Sequence, residues 1–295
     1  MMKIWKIGTR ESRLAMEQTA LILRNIREKM PEIPFEICGI KTTGDRILDR
    51  PLAQIGGKGL FMKELEYALL EGSIDLAVHS LKDMPMLLPQ ELPILAYSDR
   101  EDERDVLVLR RGLTALPKEP LFGCGSLRRQ MQLHDLFPGC RCESVRGNVI
   151  TRLQKLDEGQ FDALVLAAAG LKRLHREERI SRYFSVEEMV PAAGQGILAV
   201  QGRQDERYPF LSAVENAESR DAAVCERAFV SALQGGCTAP VAAHAAIEGE
   251  DLVLTGFYGK EQPERNIRMT DRGPRTQAEE LGSRLAWEVR KAAGL

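Results

Sequence analysis

Ile7-Gly8-Thr9-Arg10-Glu11-Ser12 fits a strand end, a glycine turn and a helix cap into one short stretch. Residues 3–7 read as a strand that Gly8 is expected to end. Ser12 can cap the helix that follows, in which Leu14, Ala15, Leu21, Ile22 and Ile26 recur at helical spacing. Phe122-Gly123-Cys124-Gly125-Ser126 repeats this layout far downstream. Two similar α/β lobes facing each other would aim both helix N-termini into one cleft. Open α/β sheets bind ligands at such strand ends. Helix N-termini there favour anions, through free N–H groups and the helix dipole.

Outward from the first turn, residues 35–40, 74–78 and 92–97 read as strands, and residues 60–71 as a helix. This β-α-β alternation predicts a mostly parallel sheet covered on both faces. The charged stretch 98–104 reads as a boundary, after which the pattern restarts. Strands are expected over 105–109, 121–124, 142–145 and 162–167, with helices capped by Ser126 and Asn148. A second boundary lies near 191–196, before a strand over 197–201. A helix from Arg220 to about Leu233 then stops at Gly235-Gly236. Three strands near 241–247, 252–258 and 266–270 precede a helix capped by Thr276, which suggests a small antiparallel α+β domain.

Composition narrows the class. Hydrophobic residues at 44% supply enough core for two or three domains in 295 residues. A net charge of −2 argues against a nucleic-acid binder. No long apolar run follows Lys3 and Lys6, so no signal peptide is expected. The apolar run 163–171 is too short to span a bilayer. A soluble cytoplasmic protein is expected, and with it reduced cysteines. Cys140-x-Cys142 is the only close cysteine pair, and the histidines are isolated, so no metal site is expected.

Several clusters could carry chemistry. Arg10 and Arg13 lie in the first turn, Arg128 and Arg129 in the second, Arg146 and Arg152 around a third. Arginine pairs with carboxylate as a bidentate fork, so this set suits a substrate with several carboxylates; the alternative is a solvated face. Ile55-Gly56-Gly57-Lys58-Gly59 lacks the residues of a nucleotide phosphate loop and reads as a lid. In His79-Ser80-Leu81-Lys82-Asp83-Met84-Pro85, the residues Ser80, Lys82 and Asp83 would project near the cleft. Asp83 is a candidate acid, base or cation stabiliser, or else a turn residue paired with Lys82. Gly235-Gly236-Cys237 would let a ligand approach the backbone closely, although a lone cysteine can equally be inert core.

In order along nearly the whole chain, these segments resemble the porphobilinogen deaminase (hydroxymethylbilane synthase) family. They are Gly8-Thr9-Arg10-Glu11-Ser12, Gly56-Gly57-Lys58-Gly59-Leu60-Phe61, the 79–85 stretch, Ser126-Leu127-Arg128-Arg129-Gln130, Arg146-Gly147-Asn148, Ala169-Gly170-Leu171-Lys172-Arg173-Leu174, Pro191-Ala192-Ala193-Gly194-Gln195-Gly196 and Gly235-Gly236-Cys237. The resemblance implies an α/β fold of two periplasmic-binding-protein-like lobes plus a small α+β C-terminal domain. The first lobe would hold residues 1–98 with 197–216, the second 99–196, and the third domain 217–295.

It further implies a dipyrromethane cofactor held by a thioether to Cys237, with Asp83 as the catalytic carboxylate. Arg10, Ser12, Ser80, Lys82, Ser126, Arg128, Arg129, Arg146, Arg152 and Gln195 would bind the acetate and propionate groups of cofactor and growing chain. Lys58 and Phe61 would belong to the lid. The implied reaction deaminates porphobilinogen and joins four units head to tail, and water then releases the linear tetrapyrrole. A monomer needing no metal, nucleic acid or membrane is expected. Two departures stand out: Cys124-Gly125 replaces the family's usual Thr-Ser, and Arg13 stands where proline is common. The rival reading, a non-enzymatic two-lobe anion binder, leaves the cysteine loop and third domain unexplained.

Overall fold

A computed structural model describes residues 3–46, 62–234, 239–260 and 266–295. The first sheet takes β1 (Trp5–Arg10), β2 (Phe35–Ile40), β3 (Leu76–Ser80) and β4 (Ile94–Tyr97) from the first part of the chain. The second takes β5 (Asp105–Leu109), β6 (Leu121–Gly123), β7 (Arg141–Glu143), β8 (Ala163–Ala167) and β9 (Arg182–Tyr183). The chain then returns to the first sheet as β10 (Leu198–Gly202). The strand orders are β2-β1-β3-β10-β4 and β7-β6-β8-β5-β9, so the two lobes share one topology.

Each sheet is mostly parallel, as expected, with one antiparallel strand inside it: β10 in the first, β5 in the second. The connectivity dictates this. β4 and β9 run with the parallel strands and end at the cleft, so the chain leaves each lobe there. It must enter the other lobe at the same side, and its first strand runs away from the cleft. Asp105 at the start of β5 accordingly pairs with Ala167 at the end of β8, and Leu198 at the start of β10 with Ser80 at the end of β3.

Gly8 lies inside β1 instead of ending it. A Cβ there would stand 2.3 Å from Ile74 Cδ1 and 3.0 Å from Leu65 Cδ2. Gly123 in β6 has the same role, 2.6 Å from Leu164 Cδ2 and 2.9 Å from the Phe161 ring. The echo between the two turns is therefore a shared packing constraint: at each site the strand admits a core side chain where a Cβ would be.

Helix α1 (Arg13–Lys29) starts where Ser12 Oγ accepts from Ala15 N at 3.3 Å, and buries Ile22, Leu23 and Ile26 in the first-lobe core. Short helices α2 (Thr43–Arg46) and α3 (Lys63–Leu70) follow. In the second lobe, α4 (Leu127–Leu136), α5 (Val149–Asp157) and α6 (Ala168–Arg173) alternate with the strands. Asn148 caps α5 as read, accepting from Thr151 N at 3.0 Å. Ser126 precedes α4, but its side chain makes no capping bond.

The C-terminal unit packs α7 (Ala217–Ala232) and α8 (Ala278–Ala293) on one antiparallel sheet of β11 (Val241–Glu248), β12 (Asp251–Tyr258) and β13 (Ile267–Pro274). Phe229, Leu254, Leu281 and Leu285 are central to its core. Asn216, not a residue near Arg220, caps α7 by accepting from Ser219 N at 2.8 Å. Thr276 sits in a 3-10 turn before α8 and does not cap it. Among the described residues, no helix is long and apolar enough to cross a membrane.

Glu226 of α7 has no exposure and joins the three units. It accepts from Arg100 Nη1 at 2.6 Å, Gly194 N at 2.7 Å and Ala245 N at 2.8 Å. Arg100 and Gly194 lie in the two segments that cross between lobes, and Ala245 lies in β11. Glu226→Ala would strand a buried guanidinium and two amides, at a cost of about 3–5 kcal/mol. It should lower the thermal midpoint markedly. Glu226→Gln, which keeps one acceptor oxygen, should lose less, and differential scanning calorimetry on both variants checks the order.

Candidate active site

β3 ends at Ser80, and a 3-10 turn, Leu81–Asp83, carries the chain into the cleft. Leu81 and Met84 are fully buried and pin the turn at both ends, leaving Lys82 half-buried and Asp83 exposed. Lys82 Nζ donates to Gln195 Oε1 at 3.2 Å, and among the described residues no ion pair joins it to Asp83. Among the described residues Asp83 accepts no hydrogen bond, so its oxygens are available to a ligand. Its charge acts on Lys82 and, from the other lobe, on Arg129 and Arg152.

Gln195 carries the connection onward. It is 1% exposed, and its Nε2 donates to Glu103 O at 2.6 Å and to Asp105 Oδ1 at 3.0 Å. Asp105, fully buried at the first position of β5, accepts from Arg128 Nη1 at 2.7 Å and Arg129 Nη2 at 2.6 Å. A continuous polar chain thus runs from Lys82 on one lobe to the two arginines of α4 on the other. Burial alone would raise the Asp105 carboxyl, but Arg128 and Arg129 outweigh it and hold it well below the usual range. Burial lowers Arg128, whereas for Arg129 the adjoining Asp105 outweighs burial and the guanidinium is raised. Burial, then Arg129, push Lys82 down to about 8.

The remaining sequence candidates sit at strand ends and in or just before the first turns of helices. Arg10 ends β1, half-buried, and adds to the burial that pushes His79 down to about 4. Ser12 is engaged in capping α1, and Ser80 Oγ accepts from Gln18 Nε2 at 2.9 Å, so these hydroxyls order the turns. Ser126 stands at the α4 terminus with its hydroxyl unused for capping. Arg146 precedes α5. Arg152 on α5 donates from Nε to Gly147 O at 2.8 Å and is lowered first by burial, then by Arg129. The buried Cys124 thiol contacts Ser126 O at 3.7 Å, and burial pushes it up. Lys58, Phe61 and Cys237 lie outside the described residues.

Three participants went unassigned in the sequence. Asp105 looked like the first residue of a strand, and nothing local marks it as the counter-ion of Arg128 and Arg129. Glu103 binds His244 Nε2 at 3.1 Å and attaches the C-terminal sheet to the crossing segment. Arg173, at the end of α6, donates to Gly196 O at 2.6 Å, while its buried Nε has no partner among the described residues. Burial pushes Arg173 down to about 10. Its only signal was the 169–174 motif itself. On the second lobe Arg128, Arg129 and Arg152 gather close enough that Arg129 lowers Arg152, with Asp105 as the buried counter-ion of the first two. Such a cleft is suited to a polyanion.

Lys82 makes a pH dependence testable. Its folded value of about 8 lies below the ordinary 10.5. Between the two, the unfolded chain binds more protons than the folded one, so stability rises with pH across that window. Below the folded value the buried charge is a constant cost. Urea midpoints measured from pH 7.5 to 10.5 should therefore show an upward component that Lys82→Met removes. An unchanged slope in the variant would mean that Lys82 is not desolvated.

Residues 5–208 match the family profile described as porphobilinogen deaminase, dipyromethane cofactor binding domain. Residues 221–291 match the porphobilinogen deaminase C-terminal domain. The porphobilinogen deaminase of Acetivibrio thermocellus is 50% identical over 292 residues, covering 99% of each chain. That of Ruminiclostridium josui is 48% identical and covers 100% of each, and that of Methylobacillus flagellatus is 46% identical over 95% of this chain and 92% of its own. Among solved structures, the second substrate binding domain of a putative amino acid ABC transporter from Streptococcus pneumoniae overlaps with a TM-score of 0.44 at 10% identity, over 72% of this chain and 90% of its own. With both profiles matched and half of its residues shared with a full-length relative, the chain belongs to the porphobilinogen deaminase family.

Proposed function

We propose that this chain is a transferase of tetrapyrrole biosynthesis. It would deaminate porphobilinogen, join four units head to tail on a dipyrromethane primer bound to Cys237, and release hydroxymethylbilane by hydrolysis. The observation that carries this reading is the polar chain from Lys82 through Gln195 and Asp105 to Arg128 and Arg129, with the open carboxylate of Asp83 beside it. The donor set fits a cofactor and product bristling with carboxylates, because Arg128, Arg129 and Arg152 gather on one lobe and Arg173 keeps a buried Nε–H with no partner among the described residues. The primer would supply a pyrrole carbon nucleophile.

The chain's own residues supply position and charge. Arg10, Arg146, Arg152 and Arg173 would take substrate and primer carboxylates; Arg128 and Arg129 would do so with the N–H groups that Asp105 leaves over. Ser12, Ser80 and Ser126 would hold the turns and add hydroxyl contacts, and Lys58 and Phe61 would cover the cleft. Loss of ammonia leaves positive charge on a pyrrole ring. A fixed carboxylate at Asp83 stabilises that charge more in the transition state than in the neutral ring. The domains proposed are 1–98 with 197–216, 99–196, and 217–295, working as a monomer in the cytoplasm.

Asp83→Asn keeps the shape and removes the charge. It should fold with an unchanged thermal midpoint and lose activity on the order of 100-fold. Near-normal turnover in a destabilised variant would instead assign Asp83 to the turn. For Cys237, intact-protein mass spectrometry should find one dipyrromethane above the sequence mass, absent in Cys237→Ser. A wild-type mass equal to the bare sequence, after expression in porphobilinogen-producing cells, would remove the thioether from the reading.

A further inference from the structure

Away from the cleft, the second lobe brings together His134, Cys140 and Cys142, whose candidate ligand atoms all lie within 4.8 Å of one another. The fold explains the convergence. His134 sits in the last turn of α4, and the chain then reverses through the 137–140 turn, where Cys140 N donates to Phe137 O at 3.0 Å. It re-enters the sheet as β7. Cys140 and Cys142 are two apart on an extended segment, so both side chains fall on the same face, toward α4. The earlier expectation of no metal site rested on the lack of a second cysteine pair. The third donor comes from the preceding helix instead.

We propose that His134 Nδ1, Cys140 Sγ and Cys142 Sγ form a binding site for a soft divalent ion of the Zn2+ type, with the fourth coordination position left to water. The key distance is Cys140 Sγ to His134 Nδ1, 3.6 Å. Zn–S and Zn–N bonds of about 2.3 and 2.05 Å at the tetrahedral angle put the two ligand atoms about 3.6 Å apart. A thiol–imidazole hydrogen bond would also give that distance, but it would not require Cys142 at the same point.

The surroundings suit the assignment. Cys140 is buried in the apolar cluster of Phe122, Leu133, Cys124 and Phe184, and Cys142 and Phe137 pack against it. No carboxylate belongs to the donor group, and two thiolates with an imidazole select zinc-like ions over magnesium or calcium. His134 and Cys142 are only half-buried, which leaves an entry path. Binding balances simply: two thiols give up their protons, two sulfur–metal bonds and one nitrogen–metal bond form, and no electron is transferred. β7 is an edge strand of three residues, and the ion would tie it to the end of the helix whose other end carries Arg128 and Arg129.

The test uses the full-length protein, reduced, in chelator-treated buffer, titrated with Co2+ and then Zn2+. One equivalent of Co2+ should give thiolate-to-metal charge-transfer absorption and the intense visible bands of tetrahedral cobalt, both bleached by Zn2+. Cys140→Ser, Cys142→Ser and His134→Gln should each weaken binding about 10-fold or more. Cys38→Ser and Cys225→Ser should leave it intact. Zn2+ should also raise the thermal midpoint of the wild type and not of Cys142→Ser. Absence of the charge-transfer band in the wild type overturns the site, whatever the variants do. So does a band that persists in a folded Cys140→Ser/Cys142→Ser double variant.

Discussion

A buried carboxylate between two guanidinium groups is the contact on which the cleft depends. Asp105 has no exposure, and Arg128 and Arg129 are nearly as enclosed. A lone buried charge costs several kcal/mol, so removing Asp105 would leave two arginines repelling each other in a place water does not reach. With Asp105 present, the trio keeps a single net positive charge and a fixed geometry. The aspartate also reaches Gln195, and through it Lys82, so the same anion sets the distance between groups on opposite lobes. A site that gathers many cations without its ligand needs such an internal counter-ion.

Topology puts that anion where it is needed. Because the chain leaves each lobe at the cleft, the first strand of the next lobe starts there and runs antiparallel to its neighbours. The first residue of β5 is Asp105, and Gln195 lies near the end of the segment that crosses back to β10. The segments that carry the crossings therefore also carry the contacts between lobes. Glu226 and the His244–Glu103 pair fasten the C-terminal unit to these same segments. The unit expected to bear Cys237 is thus attached at the point where the two lobes meet.

The structure also changes the meaning of several residues. Arg128 and Arg129 are not bare ligand hooks, since each already spends donors on Asp105 and on a main-chain carbonyl, Val190 O or Val165 O. Ser12 and Ser80 act first as architects of their turns. Cys124 is a buried thiol beside the α4 terminus and packs in the apolar core of the second lobe.

The sequence by itself determined the two lobes and their echo, the α+β unit after them, the capping of α1 and α5, and the turn that presents Lys82 and Asp83. These follow from short-range terms: periodicity, caps and glycine positions are written in neighbouring residues. Ordered motifs along the whole chain likewise sufficed for the family. Only the tertiary structure decided that Gly8 and Gly123 serve packing within strands, that one strand of each sheet is antiparallel, that Asp105 is the counter-ion, that Arg173 faces the crossing segment, and that His134 joins Cys140 and Cys142. In each case the partners are set by strand pairing and burial between segments whose sequences carry no mark of one another. Asp105 and Gln195 are ninety positions apart, and what joins them is the direction in which the chain crosses the cleft.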